Sequence, residues 1–442
     1  MMRTVNVIAK LDQADTFALR PMEGDLDLVI PLNDHSTVLS TNAWVLLRTT
    51  GIASSGLALD FLRLAVTVYT ADQIISRDRE GFQGWSRHIR LYFPTANAAL
   101  WDGVKNSVQK MLSFLSGDRW ELSFRSAAPA SPAPPIPSTP GPAVSKVSLF
   151  SGGLDSLIGA IDQLEAGETI DFVSHHKRGS EHPAQEKLFD ALVAHYGQGR
   201  CRWFDFYVQP SQQNLSSGKE NTSRARSLLF LALGIGIANF HGAPVDLIVP
   251  ENGLISLNVP LTGTRLNSHS TRTTHPHFLS LLQEILVGLG IGNHLVNPYR
   301  FKTKGEMMRQ CRNQQLLTSI YADSLSCSHA DNSHYILGTP PGIHCGYCVP
   351  CIIRQAAEHA AGITLTRYVI NPVTAPPAAN SDSGRDVRAF RMALEEVQGI
   401  ARHSAVLRVL KPGPLPFSNQ AELDGYVDVY LRGMVEVRNF LP

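Results

Sequence analysis

From residue 144 onward, short apolar runs alternate with longer segments of helical period. The runs at 144–150, 169–174, 203–208, 245–249 and 294–297 read as strands, and 182–195, 222–241 and 278–289 as helices. A further helix begins near Asp155. This alternation predicts a doubly wound, mostly parallel sheet covered on both faces, with ligands at the carboxyl ends of its strands. Residues 1–126 have a less regular rhythm. There, 44–47 and 61–68 read as strands from their apolar content, and 96–115 as a helix. Between the two regions, residues 127–145 hold Pro129, Pro132, Pro134, Pro135, Pro137, Pro140 and Pro142. Proline at that density is incompatible with a helix or a central strand and predicts a semi-rigid linker.

The pattern divides the chain into four expected parts. An α+β amino-terminal domain covers 1–126, and the linker covers 127–145. An α/β domain covers 146–367, and a helical carboxy-terminal extension covers 368–442. The extension has a Pro/Ala stretch at 372–380 and a helix at 387–409, and is expected to pack back on the core.

Composition narrows the function. The 442 residues include 39 Lys and Arg against 38 Asp and Glu, so a strongly basic nucleic-acid surface is not indicated. The amino terminus lacks the pattern of a signal peptide, and the apolar run 228–240 is too short to span a bilayer. A cytoplasmic protein is expected, without a membrane partner. Four of the six cysteines cluster late in the chain, which in a reducing compartment favours metal binding over disulfides.

Two motifs carry chemistry. The loop Ser151-Gly152-Gly153-Leu154-Asp155-Ser156 lies between a strand and a helix. Its glycines let the backbone approach an anion, and free N–H groups at the helix start favour negative charge. Ser151 and Ser156 add hydroxyl donors. Asp155 would repel a phosphate unless it holds Mg²⁺ or caps the helix. The Gly-Lys-Ser/Thr ending of a Walker loop is missing. A plain glycine-rich turn with a polar cap is the competing interpretation.

The second motif is Cys345-Gly346-Tyr347-Cys348-Val349-Pro350-Cys351, with Cys327 upstream. Four thiolates suit tetrahedral Zn²⁺. The alternatives are a redox thiol pair, an iron–sulfur cluster, unrelated buried cysteines, or replacement of one ligand by His329, His334 or His344. Cys201 and Cys311 stand apart.

The six loop residues match the Ser-Gly-Gly-x-Asp-Ser signature of the PP-loop ATP pyrophosphatases, enzymes that cleave ATP between the α and β phosphates. Within that superfamily the cysteine run, with Arg354 after it, resembles the zinc motif of 7-cyano-7-deazaguanine synthase. Arg226-Ser227-Leu228-Leu229-Phe230-Leu231-Ala232-Leu233 and Lys304-Gly305-Glu306-Met307 are similar to two further segments of that family. The resemblance covers about 144–363. It implies ATP, Mg²⁺ and Zn²⁺ as cofactors and a deazapurine carboxylate as substrate, with Asp155, Ser156 and Lys304 in catalysis. It places ATP on the loop and on Arg226, whose guanidinium suits phosphate. Lys304 would neutralise departing pyrophosphate. For both Arg226 and Lys304, an ordinary surface role on a helix is the alternative.

The chain departs from that family in its amino-terminal region, its longer spacing from Cys327 to Cys345, and its substrate segment. Where the family carries other residues, this chain has Glu251-Asn252-Gly253, which can read a purine-like edge. Farther on, Arg272 and His275 can bind phosphate or carboxylate, or merely enter a helix with Pro276 in its first turn. The layout is closer to the synthase-like proteins of bacterial anti-phage defence operons, notably that of the Qat system. That likeness implies a protein partner from the same operon and amide formation on that partner as an alternative to the free nitrile. A tRNA-thiolating enzyme and a non-catalytic nucleotide-binding subunit are the competing functional classes.

Overall fold

The computed structural model describes residues 3–20, 24–50, 56–127, 143–211, 220, 222–242, 245–262, 272–332 and 342–441. Residues 128–142 of the proline-rich stretch, and His334, lie outside them.

Among the described residues, ten strands form two sheets. They are β1 (Thr4–Lys10), β2 (Leu26–Pro31), β3 (Leu39–Thr41), β4 (His88–Thr95), β5 (Arg119–Ser126), β6 (Lys146–Leu149), β7 (Ile170–His176), β8 (Cys201–Pro210), β9 (Asp246–Ile248) and β10 (Leu295–Val296). The first sheet has the order β2-β1-β4-β5 and is parallel throughout. The second has the order β10-β9-β6-β7-β8-β3. Its strands are parallel except β3, an amino-terminal strand that pairs antiparallel with the edge of β8. In the second sheet the connections run outward in opposite directions from β6, so the crevice lies where β6 meets β9.

The helices are α1 (Ala43–Thr49), α2 (Leu57–Ile74), α3 (Arg77–Glu80), α4 (Ala98–Ser116), α5 (Leu154–Glu165), α6 (Glu181–Tyr196), α7 (Arg226–Phe240), α8 (Gly253–Leu257), α9 (Pro276–Gly288), α10 (Lys304–Gln310), α11 (Gln314–Ile320), α12 (Val349–Ala361), α13 (Gly384–Val397), α14 (Arg402–Leu410) and α15 (Gln420–Phe440). None of them is long and apolar enough to cross a membrane.

Two sequence expectations are corrected. Residues 44–47 and 61–68 are helical, within α1 and α2. The residues of α2 are buried nearly all round, so it lacks the polar face that marks a surface helix. Its β-branched run is accommodated because Thr67 and Thr70 return their hydroxyls to the carbonyls of Arg63 and Val66. The expected strands and helices from 144 to 297 are all present. The helical segment expected at 387–409 is divided between α13 and α14, α15 follows it, and α15 packs against α12 and α8.

One apolar cluster continues from the first sheet through α2 and α7 into the second, joining Val7, Phe61, Trp101, Leu231 and Phe206. A buried ionic network reinforces the junction. Arg87 Nη2 donates to Asp72 Oδ1 at 2.7 Å and to Asp118 Oδ2 at 2.6 Å, and Arg77 Nη2 donates to the same two oxygens. Asp72 Oδ2 accepts from the amides of Arg224 and Ala225, capping the entrance to α7 from another element. Burial pushes the Asp118 carboxyl up, but the two arginines outweigh it and bring it down to about 2.

Candidate functional site

The loop after β6 turns at Gly152, whose φ of +79° suits glycine; a Cβ there would sit 2.9 Å from Gln185 Cγ. Gln185 Nε2 donates to the Ser151 carbonyl. Ser156 Oγ donates to the Gly153 carbonyl, and Ser151 Oγ donates to Ser156 Oγ. The loop thus enters α5 with its first-turn amides at the carboxyl edge of the sheet, the arrangement expected of an anion site.

Asp155 is buried one residue into α5. Its Oδ1 accepts from Lys304 Nζ at 2.6 Å. Its Oδ2 accepts from the Asn252 amide at 3.1 Å and from Asn252 Nδ2 at 2.6 Å. Glu251 completes the group, accepting from Asn252 Nδ2. Burial, then the Asp155 charge, pushes the Glu251 carboxyl well above its ordinary 4.5. Burial also raises Asp155, but Lys304, a hydrogen bond from Glu251 and one from Asn252 outweigh it and hold Asp155 below its ordinary range. One carboxyl is therefore neutral and the other charged, with the charge paired to Lys304.

This arrangement fixes a pH dependence. Folding keeps the proton on Glu251 through a range in which the unfolded side chain has lost it, so this residue costs stability as pH rises above about 4.5. Glu251→Gln removes that cost. Its melting temperature relative to wild type is expected to rise between pH 4.5 and 8; a constant difference across this interval would contradict the assignment.

Lys304 is set in place from the carboxy-terminal extension. Thr303 and Glu306 form a capping box at the start of α10. Thr303 Oγ1 also donates to Glu436 Oε1 of α15 at 2.6 Å, and the Gly305 amide donates to Glu436 Oε2. Arg226, the first residue of α7, forms a two-pronged pair with Glu181 at 2.6 and 2.5 Å and bonds His175. A phosphate reaching Arg226 would compete with Glu181.

The other expected site residues lie differently. Asn252 is fully buried, and its Oδ1 caps α8 through the Ile255 amide, so its side chain stabilises Asp155 rather than reading a ligand edge. Arg272 stacks on Phe114 and donates to its carbonyl. His275 caps α9, lies edge-on to Phe114, and is lowered to about 3 by burial and then Arg272. Both side chains are engaged with α4, and no bond joins them to the loop among the described residues.

The four cysteines converge. Cys327 and Cys348 sulfurs are 4.0 Å apart, and those of Cys345 and Cys351 are 3.9 Å apart. A Zn²⁺ tetrahedron with bonds of about 2.3 Å requires sulfur separations of about 3.8 Å, so the set fits. Amides of His329 and Cys345 donate to Cys327, and that of Cys348 donates to Cys345, which favours thiolates. Gly346 turns at φ +85° against the Ile370 carbonyl, where a Cβ could not fit. His344 accepts from the Ser326 amide and stands outside the sulfur set, while His329 lies beside it, 3.8 Å from Cys345 Sγ. Cys201 and Cys311 are buried and separate.

No motif in the chain signals how this centre meets the loop. Leu325 donates its amide to the Gly152 carbonyl at 2.8 Å, and Ser326 Oγ accepts from the Leu154 amide at 3.1 Å. Cys327 follows immediately. Arg354, buried on α12, holds Ser324 and Ser326 from behind. Removing the metal, or Cys348→Ser, is expected to speed amide exchange at Leu154 and Leu325 about fivefold, the loss of one hydrogen bond of about 1 kcal/mol. Exchange in β1 should not change. Unaltered protection at Leu154 and Leu325 would sever this link. Beside the cysteines, a cavity of about 480 Å³ is lined by Leu254, Ile255, Val349, Ile353, Phe390 and Tyr430, among others.

No family model matches the chain. It is 25% identical over 252 residues to 7-cyano-7-deazaguanine synthase 1 of Sphingopyxis alaskensis, an alignment that covers 50% of this chain and 97% of that protein. The likeness is weak and spans half of this chain; it supports kinship with that synthase family.

Proposed function

We propose that the chain is a PP-loop ATP pyrophosphatase that activates a carboxylate, 7-carboxy-7-deazaguanine or a close relative, by adenylation in the cytoplasm. The observation that carries this reading is the loop from Ser151 to Ser156 at the start of α5, set against the buried Asp155–Lys304 pair. Similarity to a 7-cyano-7-deazaguanine synthase supports the choice of substrate. The cavity beside α8, lined by apolar side chains together with polar ones such as Arg224, Asn258 and Asp386, has the size that suits a small heterocycle.

In this mechanism a substrate carboxylate oxygen attacks the α phosphorus of ATP. The bond from that phosphorus to the bridging oxygen breaks, and its electron pair leaves with pyrophosphate. The amides of Asp155 and Ser156 in the first turn of α5, with the hydroxyls of Ser151 and Ser156, receive the phosphates, the Leu154 amide being held by Ser326. Lys304 leaves Asp155 and follows the growing negative charge. Asp155 would be the residue to hold Mg²⁺, which would supply charge neutralisation at the phosphates. An amine next attacks the activated carbonyl and loses a proton, and AMP departs. Ammonia gives the amide. The amide oxygen can attack a second ATP, releasing pyrophosphate, and departure of that oxygen with AMP and of both protons from the nitrogen gives the nitrile. A zinc held by Cys327, Cys345, Cys348 and Cys351 would be structural, fixing 324–327 against the loop.

The finer reading is that a protein amine from a defence-operon partner is the acceptor. Under it, a partner bound to the amino-terminal region would be coupled to Arg226 through the bonds from Asp72 to the amides of Arg224 and Ala225.

The test is turnover of ATP to AMP and pyrophosphate with labelled acid, with and without ammonia, followed by intact mass measurement of candidate partners. Stimulation by the acid supports adenylation. AMP formation indifferent to any carboxylate would overturn it. Nitrile in turnover amounts, with no mass shift on any partner, would remove conjugation. Iron or acid-labile sulfide in place of zinc would favour a thiolating enzyme instead.

A further inference from the structure

A second side-chain cluster lies apart from the four cysteines. His176 ends β7, His182 is in the first turn of α6, and Asp205 lies on β8. One donor atom from each falls within 4.8 Å of the others. His182 Nε2 is 2.8 Å from Asp205 Oδ2, and His176 Nε2 is 3.2 Å from Asp205 Oδ1. The two imidazole rings are 4.4 Å apart.

The hydrogen bonding is compatible with an ion at this place. His176 Nδ1 lies 3.2 Å from the Lys177 carbonyl, an atom that can only accept, so Nδ1 carries a proton. Nε2 then meets Asp205 Oδ1, a buried oxygen with no other donor directed at it, either as the N–H of an imidazolium or, in the neutral ring, as a lone pair that a cation between the two would satisfy. A backbone carbonyl on the far nitrogen is also the usual support of a metal-bound histidine.

The spacing fits such an ion. Ligand bonds of about 2.0–2.2 Å place neighbouring donor atoms roughly 2.8–3.6 Å apart, from octahedral to tetrahedral angles. The surroundings hold the donors in place. Trp203 stacks on His182, and Tyr207 lies against His176. Asn42 Nδ2 donates to the Asp205 carbonyl, and its Oδ1 accepts from the Tyr207 amide, pinning β8 at this point. The three side chains are only partly buried, so an ion can enter.

We infer that His176, His182 and Asp205 form a binding site for a divalent first-row transition ion such as Zn²⁺, with the remaining coordination positions open to water or an oxygen ligand. Two histidines and one carboxylate suit these ions better than Mg²⁺ or Ca²⁺, which prefer oxygen donors throughout. Because Glu181 precedes His182 and holds Arg226, the ion would also fix the turn that orients that arginine. The inference stands independently of the adenylation reading.

The test is calorimetric titration of the full chain with Zn²⁺, starting from protein whose four-cysteine site is already filled. One further site is expected. His182→Ala and Asp205→Asn should each weaken it by about tenfold or more, while native mass spectrometry shows the cysteine-bound ion retained. Co²⁺ at the new site should show the weak visible bands of nitrogen and oxygen ligands without sulfur charge transfer. If His182→Ala fails to fold, His176→Ala carries the same comparison. No additional site up to millimolar Zn²⁺, or unchanged affinity in the folded variants, would overturn the inference and leave an imidazolium–carboxylate pair.

Discussion

Asp155→Asn is expected to lower ATP-to-AMP turnover by about a thousandfold, the upper range for removal of one preorganised electrostatic group. The wild-type carboxylate holds Lys304 Nζ at 2.6 Å and is itself held by Asn252. An amide in its place keeps the shape but neither balances the ammonium nor binds a cation. The substitution also strands Lys304, which is 6% exposed, without its counter-charge, so stability should fall by about 3–5 kcal/mol. Lys304→Met in the Asp155→Asn background isolates the stability effect. It should recover much of the stability, measured by urea denaturation. Wild-type turnover by Asp155→Asn protein shown to be folded would mean that Asp155 acts only on the fold.

The second large effect concerns a residue far from any catalytic motif. Arg87→Met is expected to cost about 3–5 kcal/mol in urea denaturation, because it leaves the buried carboxylates of Asp72 and Asp118 with only Arg77 to oppose them. Arg87 and both aspartates have side chains fully shielded from solvent. The loss should be greatest near neutral pH. Asp118, held at about 2, contributes stability above its ordinary 3.8 and loses that contribution as pH falls through 2. The wild-type advantage should therefore shrink in strong acid. A loss below about 1 kcal/mol at pH 7 would show that Arg77 alone neutralises the pair. Because Asp72 caps α7, the same variant should weaken ATP binding if Arg226 contacts phosphate.

The local devices were legible in the sequence because their chemistry is contiguous. The glycine loop is six consecutive residues, and three of the four cysteines fall within seven. After residue 144 the strands show as short apolar runs, β6 and β7 being buried on both faces, set between longer helical segments. The amino-terminal third obeyed a different rule. With both flanks of α2 buried, 61–68 shows no amphipathic period, and its β-branched residues imitate a strand. Glu251 and Asn252 illustrate a second limit. Their position at a strand end was readable, but Asn252 is oriented towards Asp155, ninety-seven residues earlier in the chain. Glu436 and Asp72 left no local trace, since each acts by capping the helix of a distant segment. Ser326 was detectable only as the neighbour of Cys327.

The three residues of β3 have an effect out of proportion to their length. They cover part of the outer margin of β8, whose unpaired amides and carbonyls would otherwise be a template for another chain. A fragment beginning at residue 143 would keep the loop and all four cysteines yet present that margin to solvent. Its hazard is sticking to copies of itself, so the small strand works as an insulator against aggregation.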